Sequence, residues 1–167
     1  MSQVVEHIPS LRRYARLLTG DAARADDLVQ DTLERALRKW SLFSNRGSLR
    51  SWLLSIMHNL WASQHRAQPA EVEWNDAHDS GVDASQALAL RLDTERALAR
   101  LPEAQRAVLL LVVIEELNYA EIALVLDIPI GTVMSRLSRA RAAMRAGLDG
   151  HTAPAAASGL RVVSPSR

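Results

Sequence analysis

No cysteine occurs in the 167-residue chain. That excludes disulfides, thiolate catalysis and cysteine–zinc sites, and it suits a reducing compartment. Aromatic side chains are scarce as well: with one Phe and two Tyr, a core has to be built mainly from aliphatic residues. Glycine is rare, with seven residues, while Ala, Leu, Arg and Val dominate, a balance that favours helix over sheet. Charge of one sign is not in excess either. The formal net charge is +1, from 20 basic and 19 acidic residues, so any attraction to nucleic acid must come from local segregation of charge. The longest apolar run, Ala107 to Ile114, is far short of the roughly 20 residues that span a bilayer. The start, "MSQVVEHIPS", lacks the basic-then-apolar pattern of a secretory signal. The expectation is a soluble, cytoplasmic protein without membrane insertion.

What the chain does contain is helical periodicity in two blocks. In the first, from about Ile8 to Ala67, the residues Ala25, Leu28, Val29, Thr32, Leu33, Ala36, Leu37 and Trp40 recur at helical spacing. Asp21 follows the breaker Gly20 as an N-cap, and acids precede bases along the polar face, as the helix dipole favours. A second amphipathic helix carries Leu49, Trp52, Leu53, Ile56, Met57, Leu60 and Trp61, and an earlier one over Leu11–Leu18 completes a small bundle. The segment Pro69–Ser85, "PAEVEWNDAHDSGVDAS", is acidic and has no Lys or Arg, which reads as a flexible linker. The second block runs from about Gln86 to Leu148, and a Pro-, Ala- and Ser-rich tail follows, read as disordered. No segment alternates with period two for long. The expected fold is all-α: two small helical domains joined by a flexible linker, with domains at 1–67 and 87–148, the linker at 68–86 and the tail at 149–167.

The informative stretch is "NYAEIALVLDIPIGTVMSRLSRARAAM". Asn118 with Glu121 three residues on forms a capping-box pattern opening a short helix. Ile122, Ala123, Val125 and Leu126 give that helix an apolar face, "DIPIG" ends it, and Thr132 is expected to cap the next. Val133, Leu137, Ala140 and Met144 then share one face, leaving Met134, Ser135, Ser138, Arg139, Arg141 and Arg145 outward with Arg136 at the edge. A short helix, a turn and a basic, hydroxyl-bearing second helix make a helix-turn-helix suited to the major groove. Spacing alone leaves open an Arg-rich solvated face, and less readily a membrane-surface helix, since the apolar face is narrow and lacks aromatics.

Four motifs in order, "ADDLVQDTLERAL", "LRSWLLSIMHNL", "LARLPEAQRAVLLL" and "YAEIALVLDIPIGTVMSRLSRARAAM", resemble the bacterial extracytoplasmic-function (ECF) sigma factors, the group-4 type of the sigma-70 family. The resemblance covers nearly all of residues 8 to 147. It implies a transcription initiation factor with a region-two bundle of three to four helices and a region-four helix-turn-helix. Its implied partners are core RNA polymerase, through the beta-prime clamp helices and beta flap, promoter DNA and an anti-sigma factor, and the free chain is expected to be a monomer. By the resemblance, Asp27, Leu28, Gln30, Asp31, Leu33, Glu34 and Arg35 meet the polymerase. Phe43, Asn45, Arg46, Ser48, His58, Asn59, Ser63 and Arg66 meet the minus-ten element, with Phe43 as a stacking wall for a flipped base or as a plug of the bundle. Tyr119, Thr132, Met134, Ser135, Arg136, Ser138, Arg139 and Arg141 meet the minus-thirty-five element. Met134 stands where many members place Arg, Ser138 where some have an aromatic, and Asp127 where Gly, Cys or Asn is common, so the DNA sequence read does not transfer.

Rival classes fit less well. The histidines at 7, 58, 65, 78 and 151 form no metal-ligand spacing, and no phosphate loop or nucleophile elbow appears, so neither an enzyme nor a cofactor is expected. A sigma-like decoy that titrates an anti-sigma factor is the alternative. Such decoys usually carry a receiver domain, and the sequence after region four leaves no room for one.

Overall fold

A computed structural model describes residues 2–43, 48–67 and 85–152. The described residues are helical, with no strand among them: α1 (Ser2–Thr19), α2 (Ala22–Arg38), a 3₁₀ turn (Trp40–Leu42), α3 (Leu49–Ala67), α4 (Ser85–Ala99), α5 (Glu103–Val113), α6 (Tyr119–Leu126) and α7 (Ile130–Thr152). The linker between α3 and α4, and the chain after Thr152, lie outside the described residues.

Several boundaries follow from identifiable chemistry. Gly20 takes a left-handed φ of 70° and its N–H reaches the Arg16 carbonyl at 2.9 Å, ending α1 as a glycine C-cap does. Asp21 then accepts from the Arg24 N–H at 2.7 Å and opens α2. Ser48 does the same for α3, its hydroxyl accepting from the Ser51 N–H at 3.0 Å. At α6 the capping box is complete, with Asn118 and Glu121 exchanging both bonds at 2.9 Å. Asp127 ends α6 in the left-handed region at φ 53°, which Asp tolerates better than most residues. That accounts for an acid where the family pattern often has Gly or Asn.

Other boundaries differ from the sequence expectation. Helix α1 begins well before Leu11 and runs through Pro9; proline leaves the carbonyl four residues back without its helical donor, and that residue, Val5, is exposed and open to water. Helix α4 starts at Ser85, inside the expected linker, and α7 continues to Thr152, past the expected domain end. Thr132 is not a cap. The first turn of α7 is organised by Pro129, whose carbonyl accepts from the Thr132 and Val133 N–H groups, so Thr132 lies inside the helix.

The first bundle packs α1, α2 and α3 around Leu11, Tyr14, Leu18, Leu28, Leu53 and Met57. Thr32 joins that buried face by donating to the Leu28 carbonyl at 2.7 Å. The second packs α4 to α7 around Leu111, Val108, Ile122, Val133 and Leu137. Here α7 crosses α4 closely: a Cβ on Gly147 would stand 3.2 Å from that of Ala97.

The bundles are not separate beads. Helix α1 packs on α5, and α3 packs along α6. The turn after α5 is the hinge of this contact. Glu116 adopts φ 51°, the Leu117 N–H reaches back six residues to the Leu111 carbonyl, and Glu115 turns fully inward.

Candidate nucleic-acid interface

Three surfaces expected from the sequence can now be placed. On α2, the side chains of Asp27, Gln30, Asp31, Glu34 and Arg35 are exposed along one face. They are lightly organised among themselves: Gln30 donates to Glu34 at 3.2 Å, Glu34 meets Arg38 at 3.6 Å and Gln64 of α3 reaches Asp31 at 3.5 Å. Exposed pairs of this kind contribute little to stability, which leaves the charges available to a partner. Leu33 is half-buried beneath them. Leu28 is a correction: at 1% exposure its side chain belongs to the bundle core and cannot be part of the outer face. Conversely, Leu37 is 47% and Leu42 71% exposed, apolar groups flanking the charged face. Sequence periodicity put Leu37 on the inner stripe, but Ala36 beside it takes that place.

In the second surface, Phe43 is half-buried and sits in an aromatic cluster, 5.0 Å from Trp52 and 5.7 Å from Trp40 between ring centroids. In this arrangement it plugs the bundle edge rather than offering a free stacking wall. Ser48 is exposed, with its hydroxyl engaged as the α3 cap. Asn45 and Arg46, and the side chain of Arg66, lie outside the described residues. On α3, Asn59 and Ser63 are exposed one turn apart. His58 is partly buried, and its Nδ1 is enclosed with no hydrogen-bond partner. Burial, and secondarily the Arg136 guanidinium, push this imidazole down to about 4.

The third surface is α7. Ser135, Ser138, Arg139 and Met134 are exposed, and Thr132, Arg136 and Tyr119 are half-buried. The Ser135 hydroxyl donates to the Thr132 carbonyl at 3.1 Å. Among the described residues neither Arg136 nor Arg139 has an ion pair, so both cations remain available to an anionic ligand. Arg141 is exposed on the same helix. At about 100° per residue it lies about 20° from Met134 and about 60° from Ser138, and it also borders an apolar groove of about 380 Å³ with Leu17, Leu98, Leu110, Val113 and Met144.

One functional position escaped the sequence reading. Arg106, in the apolar run of α5, is 3% exposed. Its guanidinium donates to the carbonyls of Leu98 (3.0 Å), Ala99 (2.8 Å), Leu101 (3.0 Å) and, on α1, Leu18 (3.0 Å). Burial lowers its pKa, with Glu103 acting in the opposite sense. Among the described residues there is no group of His, Cys, Asp and Glu that could hold a metal, and no helix is long and apolar enough to cross a membrane.

Comparison with known proteins agrees with this layout. A family model described as the Sigma2 domain of PhyR matches residues 4–58, and one described as Sigma-70, region 4 matches residues 91–144. The ECF RNA polymerase sigma factor EcfG of Rhodopseudomonas palustris (strain TIE-1) is 38% identical over 147 residues, 86% of this chain and 81% of its own length. The ECF RNA polymerase sigma factor SigL of Mycobacterium tuberculosis is 35% identical over 151 residues, covering 86% and 85%. Among solved structures, the sigma factor RpoE in complex with the anti-sigma factor NepR from Bartonella quintana superposes with a TM-score of 0.74 at 32% identity, covering 89% of this chain and 95% of that one.

Proposed function

Because the chain belongs to the ECF RNA polymerase sigma factors, we propose that it binds core RNA polymerase, directs it to promoters by reading minus-ten and minus-thirty-five elements, and is itself held by an anti-sigma factor. It acts in the cell interior, where polymerase and promoter meet, and the chemistry of RNA synthesis stays with the polymerase. Region two spans residues 1–67 and region four the helices from Ser85 to Thr152, with residues 68–84 as the tether.

The observation that carries this reading is the outer face of α7: Arg139, Ser135 and Arg136, without competing carboxylates, on the second helix of a capped helix-turn-helix. Set into a major groove, such a helix lets Arg grip guanine at two points while Ser and Thr hold phosphates. The exposed α2 face supplies register and on-rate at the polymerase. Two tethered readers make promoter binding bivalent, so each can be individually weak.

Run-off transcription with core polymerase and fragmented genomic DNA tests the proposal. New start sites sharing two spaced upstream elements support it, and an absence of core binding would end it. Arg139→Ala is expected to cost about 1–3 kcal/mol at the minus-thirty-five element. A promoter profile and salt slope identical to the parent's would refute that role. Asp31→Ala is expected to weaken core binding while leaving promoter preference intact, and unchanged core affinity would remove Asp31 from the polymerase face. A decoy that titrates an anti-sigma factor is the second reading, favoured by the match of residues 4–58 to the Sigma2 domain of PhyR. It predicts anti-sigma binding without any new start sites.

A further inference from the structure

We propose that α7 recognises a thymine of the minus-thirty-five element by its 5-methyl group, through an apolar edge formed by Met134 with Ile130 beside it. The inference rests on the sigma-factor reading and deepens it, since it names a base feature that region four selects.

Met134 and Ile130 are 53% and 50% exposed, although the stripe of α7 that faces the core, Val133, Leu137 and Ala140, is buried without them. At about 100° per residue the two lie about 40° apart, while Arg141 and Arg145 each fall within about 20° of Met134. One flank of α7 is therefore apolar at its N-terminal end and cationic toward its C-terminal end. No Asp or Glu occurs between Gly131 and Leu148. With α3 packed along α6 the two bundles are closed on each other, and Arg136 acts on His58 of α3. Met134 lies about 160° round the helix from Arg136, on a flank that this contact leaves open.

A recognition helix meets base edges with its N-terminal residues, which puts Met134 among the bases. Arg141 and Arg145 stand roughly 10 and 16 Å farther along the axis, where the phosphates that rim the groove can take them. A thioether donates no hydrogen bond and accepts only weakly, so Met134 cannot grip guanine as Arg does. What the major groove offers an apolar side chain is the thymine methyl. Unbranched and polarisable, Met adapts its shape to such a group, and Ile130, stiff at its branched Cβ, backs it. Charge decides the partner. An apolar protein face would have to desolvate Arg141 and Arg145 beside the edge, whereas a duplex supplies phosphates to the arginines and methyls to the apolar end.

The test uses the chain bound to core polymerase, on a promoter mapped by run-off transcription. Each thymine of the minus-thirty-five element, on either strand, is replaced singly by deoxyuridine, which removes the methyl and keeps every hydrogen-bonding group. Promoter affinity is expected to fall about fourfold at one or two of them, the effect of losing about one buried methyl. Met134→Ala should lose a similar factor on the unmodified promoter and become indifferent to uracil there, so that both changes together cost little more than either alone. Met134→Leu should keep the response. An element without A·T pairs, tolerance of deoxyuridine at every position, or a uracil penalty undiminished in Met134→Ala would overturn the inference. So would a Met134→Ala chain that binds core less tightly without DNA and keeps its uracil response, since the edge would then be a protein contact. Absence of core binding, or of any shared promoter element, is a different result: it ends the sigma reading, and the methyl reading falls with it.

Discussion

Arg106→Ala is expected to destabilise the folded chain by about 3–5 kcal/mol, measured as a fall in the urea midpoint at constant slope. The side chain is buried in an apolar helix with no carboxylate bonded to it, a placement that would ordinarily be prohibitive for a charge. What compensates is where its donors go. The carbonyls of Leu98, Ala99 and Leu101 are the last ones around the end of α4, and that of Leu18 is at the end of α1. The last carbonyls of a helix lack intrahelical donors and carry the negative end of its dipole. One planar cation thus satisfies the C-termini of two helices from different bundles. Alanine would strip the carbonyls of Ala99, Leu101 and Leu18 of this donor, leave Leu98 with the Leu101 N–H alone, and open a cavity. Arg106→Lys should recover only part of the loss, since an ammonium cannot reproduce the spread of the guanidinium fork. A change below about 1 kcal/mol for alanine would mean that water replaces the cation at no cost, and that the double cap contributes little.

The second large effect expected is on pH. His58 is held down to about 4 in the closed arrangement, by burial first and Arg136 second, against an ordinary value of about 6.5. The neutral imidazole is therefore the closed form, and the released imidazole takes up a proton at higher pH. Stability of closure is fully present above about 6.5, falls as pH drops below it, and levels off near 4. At pH 5.5 the open fraction, relative to closed, should rise about tenfold. Interdomain energy transfer followed from pH 7.5 to 5 measures it, and His58→Gln, which cannot titrate, should flatten the curve. A slope that survives in His58→Gln belongs to another group and would discard this assignment.

The sequence made the local devices readable. The Asp21 cap, the Asn118–Glu121 box and the 3.6-residue stripes each depend on neighbours within a turn or two, and the structure contains all three. The apolar stripe read from the sequence includes both Leu28 and Leu37, yet nine residues set them about 180° apart on the helix, and the first is buried and the second exposed. What stayed hidden depends on distant parts of the chain. Arg106, just before the apolar run Ala107 to Ile114, carried no sequence signal because its acceptors lie on α1 and around the end of α4. Glu115 gave no signal at all, since Ser10 and Arg50 have no sequence relation to it. For the candidate site, the exposed faces of α2 and α7 followed from periodicity together with the family resemblance.

The contact of Glu115 with Ser10 and Arg50 also bears on how far this chain can be treated as interchangeable parts. A tether between two bundles invites the exchange of region two or region four among relatives to rewire promoter choice. Yet Glu115 sits in one half, and Ser10 and Arg50 in the other. A chimera that inherits the acid without its partners would have to bury an uncompensated carboxylate to close, so it would stay open, and one that inherits only the arginine would lose its register. Each half is thus written with the other in mind, and recombination within the family has to move three residues together or forfeit the closed state.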